Sequence, residues 1–224
     1  TVSESLLPVL PEVLARIKNL FDLYCEPKAV YETLQVMNTL QPGLCVLGTR
    51  LPGCFNVFEM SVRAVLGQQI TVKAASTLAA RLVAVYGTQV QTGIEGLTHS
   101  FPAPAAILAL GENISEHLGK LGIISARANT IYQLARVLAD EKNDFGFCGN
   151  PEEEMQKLQA IRGIGSWTAQ YIAMRAMGWP DAFLPTDAGI KKALPDHTPK
   201  ELQVLSEAWR PWRSYATVNL WNTL

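Results

Sequence analysis

The chain has 224 residues, 48% hydrophobic and 17% charged, with a formal net charge of −1. This composition excludes a disordered chain, and no apolar run reaches the about 18 residues of a membrane span. The near-neutral charge argues against a strongly basic nucleic-acid binder, but residues 156–224 carry eight Lys/Arg against five Asp/Glu, so an anionic partner should favour that third.

Cys25, Cys45, Cys54 and Cys148 are scattered without a C-x-x-C pair, and His99, His117 and His197 stand apart. Zinc and iron–sulfur sites need closely spaced ligands, and disulfide scaffolds are shorter and denser in cysteine. Buried, reduced thiols are the expectation.

Nearly every long segment has helical spacing. Residues 10–24 place Leu10, Val13, Leu14, Ile17 and Phe21 on one face, with Pro11 suited to a first turn. Residues 58–66 are apolar at Phe58, Val62, Val65 and Leu66, and residues 72–86 are rich in Ala and Leu, with Gly87 as a stop signal. Pro102 and Pro104 open a helix near residues 105–110, and residues 126–138 carry an inner stripe of Ile131, Leu134, Ala135 and Leu138. Pro151 with Glu152–Glu154 reads as an acidic first turn. The pattern predicts an all-α fold, a compact two-lobed helical bundle treated as one domain over 1–224, in which N-terminal helices and the C-terminal tail can pack together.

The most informative stretch runs Leu158-Gln159-Ala160-Ile161-Arg162-Gly163-Ile164-Gly165-Ser166-Trp167-Thr168-Ala169-Gln170-Tyr171. Two glycines let the backbone turn sharply, and the amides at a helix start near Ser166 suit an anion. In the second helix Ala169, Ala173 and Ala176 form a close-packing face, while Trp167, Tyr171 and Met174 recur at i, i+4 and i+7. Downstream, Phe183-Leu184-Pro185-Thr186-Asp187-Ala188-Gly189-Ile190 supplies an acidic residue. Taken alone, Asp187 looks like a helix N-cap and Trp167 and Tyr171 like core aromatics.

The hairpin over about 156–177 with its following aspartate resembles the helix-hairpin-helix base-excision DNA glycosylases. Arg63-Ala64-Val65-Leu66-Gly67-Gln68-Gln69, Trp209-Arg210-Pro211-Trp212-Arg213-Ser214-Tyr215-Ala216 and Leu220-Trp221 bring the resemblance to the DNA-3-methyladenine glycosylase II family, from about Val13 to Leu224.

The resemblance implies a monofunctional glycosylase that flips out alkylated purines and leaves an abasic site. It implies Asp187 as the catalytic residue, a base pocket of Trp167, Tyr171, Trp221 and Gln68, and DNA-backbone contacts from Gly163, Ile164, Gly165, Ser166 and Thr168. Gln69 would penetrate the duplex. No cofactor is required, though a sodium-like cation is expected on the carbonyls of Gln159, Ile161 and Ile164, with no side-chain metal ligand. The implied partner is double-stranded DNA with alkylated bases, acted on by a monomer in the bacterial cytoplasm, with no membrane. The sequence departs from the family at Gln69, where an apolar wedge is usual, and at Asn222, where an aromatic residue often follows the pocket tryptophan. The family's N-terminal antiparallel β domain has no visible counterpart. Strand-cutting relatives carry a lysine where Trp167 stands, so Schiff-base chemistry is not expected.

Arg63, Arg210 and Arg213 read as structural or solvated, and Trp209, Trp212 and Tyr215 as packing residues. A non-catalytic DNA-binding module and a helical scaffold for protein partners remain the competing readings.

Overall fold

A computed structural model describes residues 3–139 and 150–224, so Cys148 lies outside the described residues. The helices, in chain order, are α1 (Leu10–Leu20), α2 (Pro27–Leu34), α3 (Val57–Leu66), α4 (Val72–Tyr86), α5 (Pro104–Leu108), α6 (Ile114–Gly119), α7 (Ser125–Leu138), α8 (Pro151–Gln159), α9 (Ser166–Arg175), α10 (Ala188–Ala193), α11 (Pro199–Leu205) and α12 (Arg213–Trp221). Among the described residues one antiparallel ribbon interrupts them, β1 (Thr88–Gln89) with β2 (His99–Ser100), in the register Thr88 opposite Ser100.

The chain divides into two compact units, one from Thr1–Phe55 with Ala173–Leu224 and one from Asn56–Ile172. In the second unit α7 is central. Its Ala128, Ile131, Leu134 and Ala135 are buried, and it packs against α3, α5 and α6. Asn56 caps α3 by accepting from the Glu59 amide at 2.8 Å, and Thr71 caps α4 through the Ala74 amide at 3.2 Å. Gly87 ends α4 in an extended rather than left-handed conformation; a Cβ there would strike the carbonyls of Val83 and Ser100, so glycine is required by the close approach of β2.

The first unit joins the two ends of the chain, as expected. α12 is buried along Arg213–Leu220. From it, the Tyr215 hydroxyl donates to Asp22 Oδ2 at 2.9 Å, and Asn219 Oδ1 accepts from the Val46 amide at 3.1 Å and the Thr49 hydroxyl at 2.8 Å. Burial and the neighbouring Asp22 push the Tyr215 phenol pKa far up, so it stays a neutral donor. Asp22 takes φ 53° just past α1, which ends at Leu20 rather than at residue 24. The apolar face expected on α1 exists, yet none of its residues is buried, and Leu14 and Phe21 are exposed.

Of the described cysteines only Cys45 is buried; Cys25 and Cys54 sit half-buried in connecting segments, correcting the expectation of buried thiols. Desolvation raises the pKa of both Cys25 and Cys45, which disfavours the reactive thiolate.

Candidate functional site

In the second unit, α8 and the start of α9 form the predicted hairpin. Asn150 accepts from the Glu152 amide at 3.0 Å, and Glu152–Glu154 occupy the first turn, where negative charge favours a helix start. The turn closes when the Ile161 amide donates to Leu158 O and the Ile164 amide to Ile161 O, each at 3.0 Å. Ile161 and Ile164 are buried and pin the turn inward, while Arg162, Gly163, Gly165 and Ser166 face outward.

The two glycines have different causes. Gly163 adopts φ +97°, and a Cβ there would collide with the Thr130 hydroxyl of α7. That hydroxyl donates to Arg162 O at 2.9 Å, so α7 supports the turn from below. A Cβ on Gly165 would meet nothing within 4 Å. No contact among the described residues requires glycine there.

The α3–α4 turn joins the same assembly. Gln68 Nε2 donates to Gly163 O and to Thr168 Oγ1, both at 2.9 Å. Because a carbonyl can only accept, the facing atom must be the amide nitrogen. The Gln68 main-chain carbonyl accepts from Arg127 Nη2. The next residue, Gln69, is exposed at φ 55°, a left-handed conformation costing about 1–2 kcal/mol without glycine. The structure thus turns the Gln68 amide nitrogen towards the hairpin. Thr168 is 2% exposed and its hydroxyl is engaged by Gln68, so only Gly163, Gly165 and Ser166 of the expected backbone-contact set are exposed. Trp167 and Tyr171 are half-buried and stacked, with ring centroids 5.1 Å apart at 9°. Arg127 and Thr130 were missed in the sequence, where they do not stand out among the other polar residues of α7.

In the first unit, Asp187 is 9% exposed and caps α10. Its Oδ1 accepts from the Gly189 amide at 2.8 Å, the Ile190 amide at 3.1 Å and the Trp221 indole nitrogen at 2.8 Å. The expected capping role is therefore real, and the carboxylate is also fixed from α12. Gly189 packs so closely on the Trp221 ring that a Cβ would approach its Cδ1 to 2.7 Å. Met174 and Ala173, at the end of α9, are fully buried. Below α10, Arg213 pairs with Asp181 through Nε–Oδ1 at 2.7 Å and Nη2–Oδ2 at 2.8 Å, and Trp209 is 1% exposed against Phe183. These arginine and tryptophan residues are structural, as expected.

The HhH-GPD superfamily base excision DNA repair protein model matches residues 62–213. The chain belongs to that superfamily. The AlkA N-terminal domain model matches residues 1–56, which corrects the expectation that this domain has no counterpart here, although the described part of those residues contains helices and no strand. The chain is 38% identical over 222 residues to DNA-3-methyladenine glycosylase 2 of Escherichia coli, covering 99% of this chain and 75% of that one. It is 40% identical over 216 residues to the probable bifunctional transcriptional activator/DNA repair enzyme AlkA of Mycobacterium tuberculosis, covering 94% of this chain and 42% of that one. Among solved structures, the 3-methyladenine DNA-glycosylase from Archaeoglobus fulgidus shares the fold, at TM-score 0.76 and 22% identity over 99% of this chain and 76% of that one.

No described helix is long and apolar enough to cross a membrane, and no group of three or more His, Cys, Asp or Glu among the described residues could hold a metal ion.

Proposed function

We propose that this chain is a monofunctional DNA glycosylase that extrudes alkylated purines of the 3-methyladenine type from duplex DNA and hydrolyses their N-glycosidic bond. The observation that carries the reading is the Asp187 carboxylate, nearly buried and held on Oδ1 by two helix-start amides and the Trp221 indole. Cleavage of an N-glycosidic bond builds positive charge on the sugar, and a preset carboxylate stabilises it without reorganisation in the transition state. A purine alkylated on a ring nitrogen is already cationic and leaves readily, so the protein need supply mainly extrusion, stacking and charge stabilisation.

The exposed amides of Gly163, Gly165 and Ser166 suit a DNA phosphate, which anchors the strand without reading its sequence. A stacked base is out of reach within the duplex and must be flipped out. The exposed Gln69 turn is suited to entering the space it leaves. The stacked faces of Trp167 and Tyr171 suit a cationic purine through cation–π attraction. Gln159 ends α8, where carbonyls lack intrahelical donors, and the Ile161 carbonyl already accepts from the Ile164 amide; the carbonyls of Gln159, Ile161 and Ile164 are hard oxygen donors of the kind a monovalent cation takes. The chain acts as a monomer in the bacterial cytoplasm.

The test is release of methylated bases from alkylated duplex DNA, with Asp187→Asn as the control. Release by the unsubstituted chain and none by the variant supports the reading. DNA binding without release by either protein favours the alternative of a non-catalytic hairpin module.

A further inference from the structure

Four hydrogen bonds in the unit spanning Asn56–Ile172 form a closed network. Along α7, Arg127 donates to the Gln68 main-chain carbonyl, and Thr130, one turn later, donates to the Arg162 carbonyl at 2.9 Å. The Gln68 carboxamide completes the link by donating both to Gly163 O and to Thr168 Oγ1. One rigid helix therefore grips the turn carrying Gln69 and the hairpin carrying the exposed amides, and Gln68 joins them directly.

We infer that Gln68, held by Arg127, is a positioning residue that couples the phosphate grip of the hairpin to the placement of Gln69 in the duplex. This rests on the glycosylase reading. Gln68 sits half-buried, its amide nitrogen committed to the hairpin, and the exposed side chain that follows it is the one offered outward. With the spacing between grip and turn set before DNA arrives, the energy of phosphate contact is not used to order the turn. A cationic base that leaves readily still has to be brought out of the stack, so placement of the turn should limit the rate.

The test uses Gln68→Met, which keeps volume and neutrality but has no N–H donor. Single-turnover excision from methylated duplex should fall about 10–100-fold, the scale of a small misplacement. Fluorescence of 2-aminopurine beside a tetrahydrofuran abasic site, reporting unstacking, should fall with it. Affinity for undamaged duplex and Tm should stay near the unsubstituted values. In a cycle with Gln69→Ala, the two losses should be far from additive, because Gln68 acts through Gln69. Wild-type excision by Gln68→Met, additive losses, or a fall in Tm and duplex affinity in step with excision would each overturn the coupling. If Gln68→Met fails to fold, Arg127→Met, which removes the donor to the Gln68 main-chain carbonyl, tests the coupling from the α7 side with the same readouts. If the unsubstituted chain releases no base, the glycosylase reading fails, and the 2-aminopurine contrast alone decides the coupling.

Discussion

The indole nitrogen of Trp221 donates to Oδ1 of Asp187 at 2.8 Å, tying the end of α12 to the start of α10. A tryptophan expected to stack on a base thus also orients the carboxylate. Trp221→Phe keeps an aromatic ring but has no donor. It should lower kcat for excision while leaving KM and Tm nearly unchanged, measured by steady-state base release and thermal melting.

Asp187→Asn and Asp187→Ala should separate capping from catalysis. The asparagine carbonyl can still accept from the Gly189 and Ile190 amides, so that variant should fold normally and bind duplex DNA, yet lose excision. Alanine removes the cap as well and should destabilise the fold by about 0.5–2 kcal/mol, lowering Tm by a few degrees. Near-normal base release by Asp187→Asn would remove Asp187 from the chemistry.

Gly163→Ala and Gly165→Ala should fail differently. At Gly163, the φ of +97° and the Thr130 hydroxyl oppose a side chain, so Tm should fall, with a strain cost of about 1–2 kcal/mol from the backbone alone. Gly165 has open space around it, so Gly165→Ala should melt like the unsubstituted protein. Its affinity for undamaged duplex should drop roughly tenfold, about the value of one hydrogen bond to a charged group. Titration by fluorescence anisotropy at several salt concentrations checks this, and binding should weaken as salt rises.

Gln69→Gly relieves the left-handed strain at φ 55° while adding freedom to the unfolded chain. Tm should be unchanged or higher, and excision should fall if the side chain enters the duplex as proposed. Differential scanning calorimetry with single-turnover kinetics reads both.

Trp167 opens the second hairpin helix with an indole, which cannot form a Schiff base. The product should be an intact abasic strand, cleaved only by hot alkali, and borohydride should trap no protein–DNA adduct. Trp167→Ala breaks the stack with Tyr171 and should slow excision of damaged bases more than it weakens binding to abasic product, which has no base to stack. One stacking face is worth about 1–3 kcal/mol.

Helix existence was legible because apolar spacing and capping chemistry are local. Val72–Tyr86 and the start of α9 at Ser166 appear where the pattern puts them, and Asp187 caps α10 as its Pro-Thr-Asp context indicates. The hairpin was legible for the same reason, since two glycines beside a helix start constrain only their own backbone. Tertiary structure decided what those residues do to one another. The Trp221 indole reaches Asp187 across 34 positions, Gln68 reaches Gly163 across 95, and Tyr215 reaches Asp22 across 193. Periodicity encodes which face of a helix is apolar, but not which donor will meet which acceptor once chain ends are brought together. For that reason α1 carries a clear apolar face that stays unburied, while polar Gln68, Thr130 and Thr168 turn inward to hold the site.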